Sequence, residues 1–264
     1  MNIKGKKFIV TGSEGFIGKA LVAFLKSKGA HVIGIDRKTD TECSALPDIL
    51  KKESDIECVF HLAAQTSVFN SNIEQIRKDN IDTFILVCDA CREHNVRLVY
   101  ASSSTAADGN TTSMYGISKQ FNEAYAKLYN PNAIGVRLHN VYGPEPRKGT
   151  LLWYLINHPI VQLYNMGLNE RHFTYIDDAV QGLMFAYSLD SSGLTYKVIN
   201  VANPERMITT EFAAKVSQRN GVAVRFEKSK RDHDNSTQAL QKDIYYVSLP
   251  YKTVEEGLDL IFGE

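Results

Sequence analysis

Short apolar runs and helical stripes alternate through the first half of the chain. Residues 6–10 (Lys-Lys-Phe-Ile-Val) read as a buried strand, and 31–35 as a second. The same pattern returns at 56–62, 96–102 and 133–138. Between the first two runs, Ile17, Leu21, Phe24 and Leu25 recur at helical spacing and predict a helix over about 15–28. Helices over 72–94 and 114–129 follow. Strands alternating with helices predict an α/β fold with a parallel, doubly wound sheet. Past residue 140 the pattern breaks at Gly143-Pro144-Glu145-Pro146, and shorter elements follow. A strand near 196–201 is expected to return to the sheet, 225–243 is polar, and 253–262 reads as a last short helix. The division expected is 1–142 with a returning segment near 172–202, and a small C-terminal α/β unit from 143–171 and 203–264.

The first strand runs into Thr11-Gly12-Ser13-Glu14-Gly15-Phe16-Ile17-Gly18. Glycines at 12, 15 and 18 permit a tight turn, close backbone approach to a pyrophosphate, and close helix–strand packing. The helix that follows points its first amides at such phosphates. The second strand ends at Asp36, whose carboxylate suits the hydroxyls of an adenosine ribose. Strand, glycine turn, helix, strand and acid in that order predict a Rossmann-type dinucleotide site. Asp36 would repel a ribose 2′-phosphate and so favours NAD, whereas Arg37 next to it is a residue type that accepts one.

Tyr115-Gly-Ile-Ser-Lys119 places a phenol and an ammonium on one helical face. The ammonium favours the phenolate. A tyrosine titrating near pH ~10 needs a shift of roughly three units to act as a base near neutrality, about 4 kcal/mol of differential stabilisation. A second cation is therefore wanted, and an oxidised nicotinamide ring would serve.

Composition narrows the class. The chain has 264 residues, enough to bury a substantial core. Thirty basic and thirty acidic residues cancel, which argues against a nucleic-acid or anionic-membrane partner. No apolar run approaches the ~20 residues of a membrane span, and no signal peptide is expected. Of the four cysteines (43, 58, 88 and 91), Cys88 and Cys91 have metal-like spacing but fall in an apolar helix with no second ligand pair. Buried thiols, no metal and a cytoplasmic setting are expected.

Together these segments resemble the extended short-chain dehydrogenase/reductase family, in its nucleotide-sugar epimerase branch. The resemblance is carried by Thr11 to Gly18, His61-Leu-Ala-Ala-Gln-Thr-Ser-Val68, Ser102-Ser103-Ser104, Tyr115-x-x-x-Lys119, Arg137-Leu-His-Asn-Val-Tyr-Gly-Pro144, Arg171-His-Phe-Thr-Tyr-Ile-Asp-Asp178 and a degenerate Arg231-Asp-His-Asp234. It implies that Tyr115 is the acid/base at a sugar hydroxyl, that Lys119 binds the nicotinamide ribose, and that Ser104, with Thr105 as fallback, bonds the same sugar oxygen. Cofactor contacts are implied for Gly12, Gly15, Phe16, Ile17, Gly18, Asp36, Arg37, Leu62, Ala63, Ala64 and Gln65. Asn80, Ser102, Tyr115 and Lys119 complete that set. Ser67, Ser104, Thr105, Asn140, Arg171 and Arg231 are implied for the nucleotide-diphosphate sugar. His139 and His172 are expected to be structural. A homodimer through helices 72–94 and 114–129 is likewise implied.

Absences select among reactions of that branch. Dehydratase relatives carry an Asp-Glu pair directly after the catalytic hydroxyl residue, and here Thr105-Ala106 follows Ser104. The glutamate of decarboxylases and the cysteine of epimerase-reductases are also missing from this stretch. The expected activity is NAD-dependent 4-epimerisation of a UDP-sugar. The alternatives are a nucleotide-sugar 4-ketoreductase and a catalytically silent NAD-binding regulator. Only 25 positions separate Asp36 from His61, so a strand of the sheet is expected to be short or missing, with Asp40 standing in near the adenine.

Overall fold

The computed structural model describes residues 1–107, 113–190, 197–229 and 244–263. Strands β1 (Lys7–Thr11), β2 (His31–Ile35), β3 (Ile56–His61), β4 (Arg97–Ser103), β5 (Ala133–Leu138), β6 (Val198–Val201) and β7 (Tyr245–Tyr246) form one sheet. The order is β7-β6-β5-β4-β3-β1-β2, and every pair is parallel. β7 joins the sheet edge from the segment after 203, which the sequence assigned wholly to the second unit.

The short gap after Asp36 has a clear outcome. The chain leaves β2 through two 3₁₀ turns and helix α2 (Leu46–Lys52), then enters β3 directly on the far side of β1. β2 is therefore the sheet edge, where the six-stranded dinucleotide order places a further strand outside it. Asp40 ends the first 3₁₀ turn in left-handed backbone at φ 54°.

Period-two alternation in the strands feeds two apolar layers. Phe8 and Val10 pack with Phe60 and Val136 beneath helices α1 (Phe16–Ser27) and α6 (Ile176–Ser188). Ile9 and Val59 point the other way, onto Phe84, Val87, Cys88 and Ala126. All four cysteines are free thiols; Cys58, Cys88 and Cys91 are buried.

The helix expected over 72–94 is one continuous run, called α3 here, with a changed middle. It is α-helical at Ile73–Ile76, π-helical at Arg77–Asp82 and α-helical again at Thr83–Glu93. Helix α4 (Met114–Tyr129) packs beside it. A separate apolar cluster, including Tyr142, Leu155, Phe173 and Phe212, organises α5 (Leu151–Asn157), α7 (Thr209–Asn220) and α8 (Val254–Phe262). Short strand pairs complete this part, among them Ile160–Leu163 with Ala223–Phe226. Among the described residues no helix is long and apolar enough to cross a membrane.

Candidate active site

The glycine turn is pressed against the end of β3. Gly12 has φ +70°, and a Cβ there would lie 2.7 Å from the Ala63 backbone nitrogen. The Thr11 hydroxyl ties the same two strands, meeting His61 Nδ1 at 2.8 Å and accepting from Ala63 N at 3.3 Å. Burial, and then the nearby Lys119 charge, lower the His61 pKa to about 3, so this imidazole is a neutral strut. Helix α1 starts without a side-chain cap at Gly15, leaving its first-turn amides available to a phosphate. Asp36 accepts from Glu14 N at 3.0 Å and from Lys38 N at 2.9 Å, which fixes its carboxylate beside the turn. These features fit a dinucleotide.

They also yield a prediction. Gly12→Ala combines left-handed backbone with a clash against backbone, and should cost about 1–3 kcal/mol. A thermal melt should record that loss, and calorimetric titration should show dinucleotide binding weakened at least roughly tenfold for a similar displacement energy. Unchanged binding would remove the turn from the site.

Tyr115 and Lys119 sit on the first turns of α4. Ser113 caps that helix by accepting from Gly116 N at 3.1 Å. Gly116 lets the helix touch the turn after β4, since a Cβ there would stand 2.8 Å from Thr105 O. Close approach brings the Ser103 side chain into a hydrogen bond with Tyr115 that favours the phenolate. Ser103 Oγ also accepts from Thr105 Oγ1 at 2.9 Å and Thr105 N at 3.2 Å. The Ser103 hydroxyl thus lies against Tyr115, one residue before Ser104, which lines the same cavity. Strand β4 ends at Ser103, and Ser104 opens a 3₁₀ turn.

Burial raises the Tyr115 pKa, opposed by the Ser103 hydrogen bond and the Arg147 charge. Lys119 lies one turn further along the same helix. Its Nζ donates to Ala101 O at 2.9 Å and lies 5.9 Å from the Tyr115 ring centroid. Burial lowers the Lys119 pKa to about 8, against the opposing charge of Glu123 one turn further along α4. Glu123 is itself buried and grips Arg137 with two bonds, at 2.8 and 2.6 Å, while accepting from Ser102 Oγ at 2.5 Å.

One cavity of about 1200 Å³ joins these parts. Of the cofactor candidates, Gly12, Gly15, Phe16, Ile17, Gly18, Asp36, Arg37, Leu62, Ala63, Ala64, Gln65, Ser102, Tyr115 and Lys119 line it. Asn80 does not. It is buried in the π segment and holds the cofactor-side loop from behind, accepting from Gln65 N at 2.7 Å and donating to Gln65 O at 2.9 Å and Ser118 Oγ at 3.0 Å. Of the substrate candidates, Ser67, Ser104, Thr105, Asn140 and Arg171 line the cavity. Arg231 lies outside the described residues. Asp40 is not on the wall, whereas Thr41, Glu42, Cys43 and Ser44 are. His139 and His172 pack edge to face at 5.5 Å away from that lining. Sequence reasoning missed Ser103, Arg147, Asp79 and Glu123. The Pro144-Glu145-Pro146 break flanking Arg147 was the one available signal for it.

A glycine turn under a helix N-terminus, joined by one cavity to a buried Ser–Tyr–Lys group, defines a dinucleotide-dependent fold of the extended short-chain dehydrogenase/reductase type. More narrowly, the chain belongs to the NAD dependent epimerase/dehydratase family, whose model matches residues 8–202. It is 29% identical to protein CapI of Staphylococcus aureus over 83% of this chain and 85% of that protein. It is 28% identical to UDP-glucuronate 4-epimerase 2 of Arabidopsis thaliana, over 69% of this chain and 54% of that one. Among solved structures it resembles MoeE5 in complex with UDP-glucose and NAD, with a TM-score of 0.81, 25% identity and 97% of both chains covered.

Proposed function

We propose that the protein is an NAD-dependent UDP-sugar 4-epimerase. The carrying observation is the single cavity that puts the glycine turn, the Ser103–Tyr115–Lys119 group and the polar residues Asn140, Arg147 and Arg171 on one wall. The nucleotide and cofactor are argued from the relatives named for UDP-glucuronate and from the MoeE5 complex with UDP-glucose and NAD.

In this reading Tyr115 accepts the proton of the C4 hydroxyl and later returns it. NAD, when bound, would supply the hydride acceptor and donor, so no net oxidation would result. Ser103 holds the hydroxyl end of Tyr115, and its proton is free to follow because Thr105 donates to the same oxygen. Lys119 presents its ammonium to the ribose side, braced by Ala101 O. Arg147 favours the phenolate from the substrate side. Arg171 and Asn140 hold the diphosphate, so that the sugar turns while the nucleotide stays fixed. Thr105 and Ala106 bear no ionisable group, which leaves this stretch without the second acid/base pair that dehydration requires. A homodimer is part of the reading, supported by exposed Ile117, Phe121, Leu128 and Tyr129 along α4.

The test is to incubate the purified protein with a panel of UDP-, dTDP- and GDP-sugars and NAD, and to read the products by NMR. Interconversion of C4 epimers without reductant is expected. Stoichiometric consumption of reduced cofactor with a keto-sugar would assign the ketoreductase reaction instead. No turnover of any sugar would leave a binding protein.

A further inference from the structure

Two side chains with opposite preferences for a 2′-phosphate leave the end of β2 together. Asp36 turns toward the glycine loop, as described above. Arg37 turns the other way and is already engaged. Its Nη1 donates to Asp79 Oδ2 at 3.1 Å and its Nη2 to Asp79 Oδ1 at 2.5 Å. The outer edge of the same guanidinium faces Glu42, with Nε 3.6 Å from Oε1. Asp79 is 7% exposed while the Arg37 side chain is 55% exposed, so the carboxylate is the fixed partner and the arginine the one held. Arg37, Glu42 and Asp79 all line the cavity at its Asp36 end.

Asp79 lies within the π segment. In an α-helix consecutive side chains diverge by about 100°. The wider turn at Arg77–Asp82 buries both Asp79 and Asn80, one on Arg37 and the other on the Gln65 backbone. Such turns recur where a helix serves a functional site. Among the described residues no strand lies outside β2, and this corner is walled by the Arg37–Asp79 pair and the turn at Thr41 to Ser44.

An arginine next to the ribose-binding acid is the usual receiver of a 2′-phosphate, through its bidentate face. Here Asp79 occupies that face. We propose that Asp79 makes the site selective for NAD over its 2′-phosphorylated form by holding Arg37 away from the ribose, as a second barrier beside the charge of Asp36. The inference rests on the dinucleotide-binding part of the proposed function and is independent of the sugar chemistry.

The experiment measures binding of NADH and NADPH to the intact chain by calorimetry, with no sugar present. The unaltered protein should prefer NADH. Asp79→Asn keeps the shape of the side chain and frees the guanidinium. It should raise NADPH affinity relative to NADH by about ten- to hundredfold, the range for a charge-assisted phosphate contact. Adding Arg37→Ala should abolish the gain. Glu42→Gln, at an exposed site, should give a smaller rise of the same sign, and it decides the question alone if Asp79→Asn does not fold. An NADPH-to-NADH ratio that stays within about twofold in both single variants would overturn the proposal, as would a gain that survives Arg37→Ala. If neither dinucleotide binds the unaltered protein, the dinucleotide reading falls and this inference falls with it.

Discussion

Tyr115→Phe should lower turnover of the UDP-sugar by about 10²–10⁴-fold, the usual contribution of a positioned acid/base. The substitution keeps the ring that packs near Lys119 and removes only the oxygen that meets Ser103. KM should stay within a few-fold, and NADH binding should be unchanged, because Asp36 and the glycine turn are untouched. That split distinguishes loss of chemistry from loss of structure. Steady-state kinetics on the epimerising sugar, with calorimetry for the dinucleotide, would record it. Full turnover in the variant would remove Tyr115 from the mechanism. Unchanged biological activity in a chain that turns nothing over would instead favour the regulator.

Glu123→Gln should have the largest effect on stability. The Glu123–Arg137 pair is buried on both sides, with side-chain exposures of 10% and 6%. Removing one partner strands the other charge and typically costs about 3–5 kcal/mol. In a domain of this size that is a fall of roughly 10 °C in Tm. Replacing both residues by apolar ones of similar volume, Glu123→Leu with Arg137→Met, should recover much of the loss, because the desolvation cost leaves with the pair.

Glu123 has a second effect, on Lys119. Burial depresses the folded-state pKa of that lysine from 10.5 to about 8, and Glu123 pulls it partly back up. Between about pH 8 and 10.5 the unfolded chain holds a proton that the folded one has released. Stability therefore rises with pH across that window, and the full cost of the buried ammonium is present below it. Activity that needs the ammonium falls above about pH 8. In Glu123→Gln the supporting charge is gone, so the alkaline limb of the kcat profile should move toward lower pH. A limb that does not move would confine Glu123 to holding Arg137.

The sequence made the scaffold legible wherever periodicity ran long enough. β1 to β5, α1 and α4 fall within a residue or two of their expected bounds, because alternating and helical stripes are set by the layers they bury. The short gap after Asp36 pointed to a sheet in which, among the described residues, no strand lies outside β2. β7 was invisible, since two residues, Tyr245 and Tyr246, carry no pattern. The π segment was equally hidden, because its six residues look helical and only the backbone hydrogen bonds distinguish them. Ser103 and Ser104 could not be separated by counting. Which serine meets Tyr115 depends on where β4 stops, and element ends are the least determined feature of a sequence. Arg147 sits on an irregular loop, where no repeat fixes direction, and Glu123 reads as an ordinary helical charge until Arg137 is seen opposite it.

The widened turn in α3 acts as a ruler of fixed length. It carries more chain per revolution than the helix on either side, so excising a single amino acid would let it rewind as ordinary helix. The helical turns on either side would keep their phase, because the wide turn is what absorbs the extra residue. Ile76 and Phe84 would then sit seven positions apart on one face, whereas Asp79 and Asn80 would lose the turn that holds them to Arg37 and the Gln65 backbone. The adenosine corner and the nicotinamide-side loop are thus calibrated by one stretch of chain, which tolerates exchange of its letters far better than a change in their number.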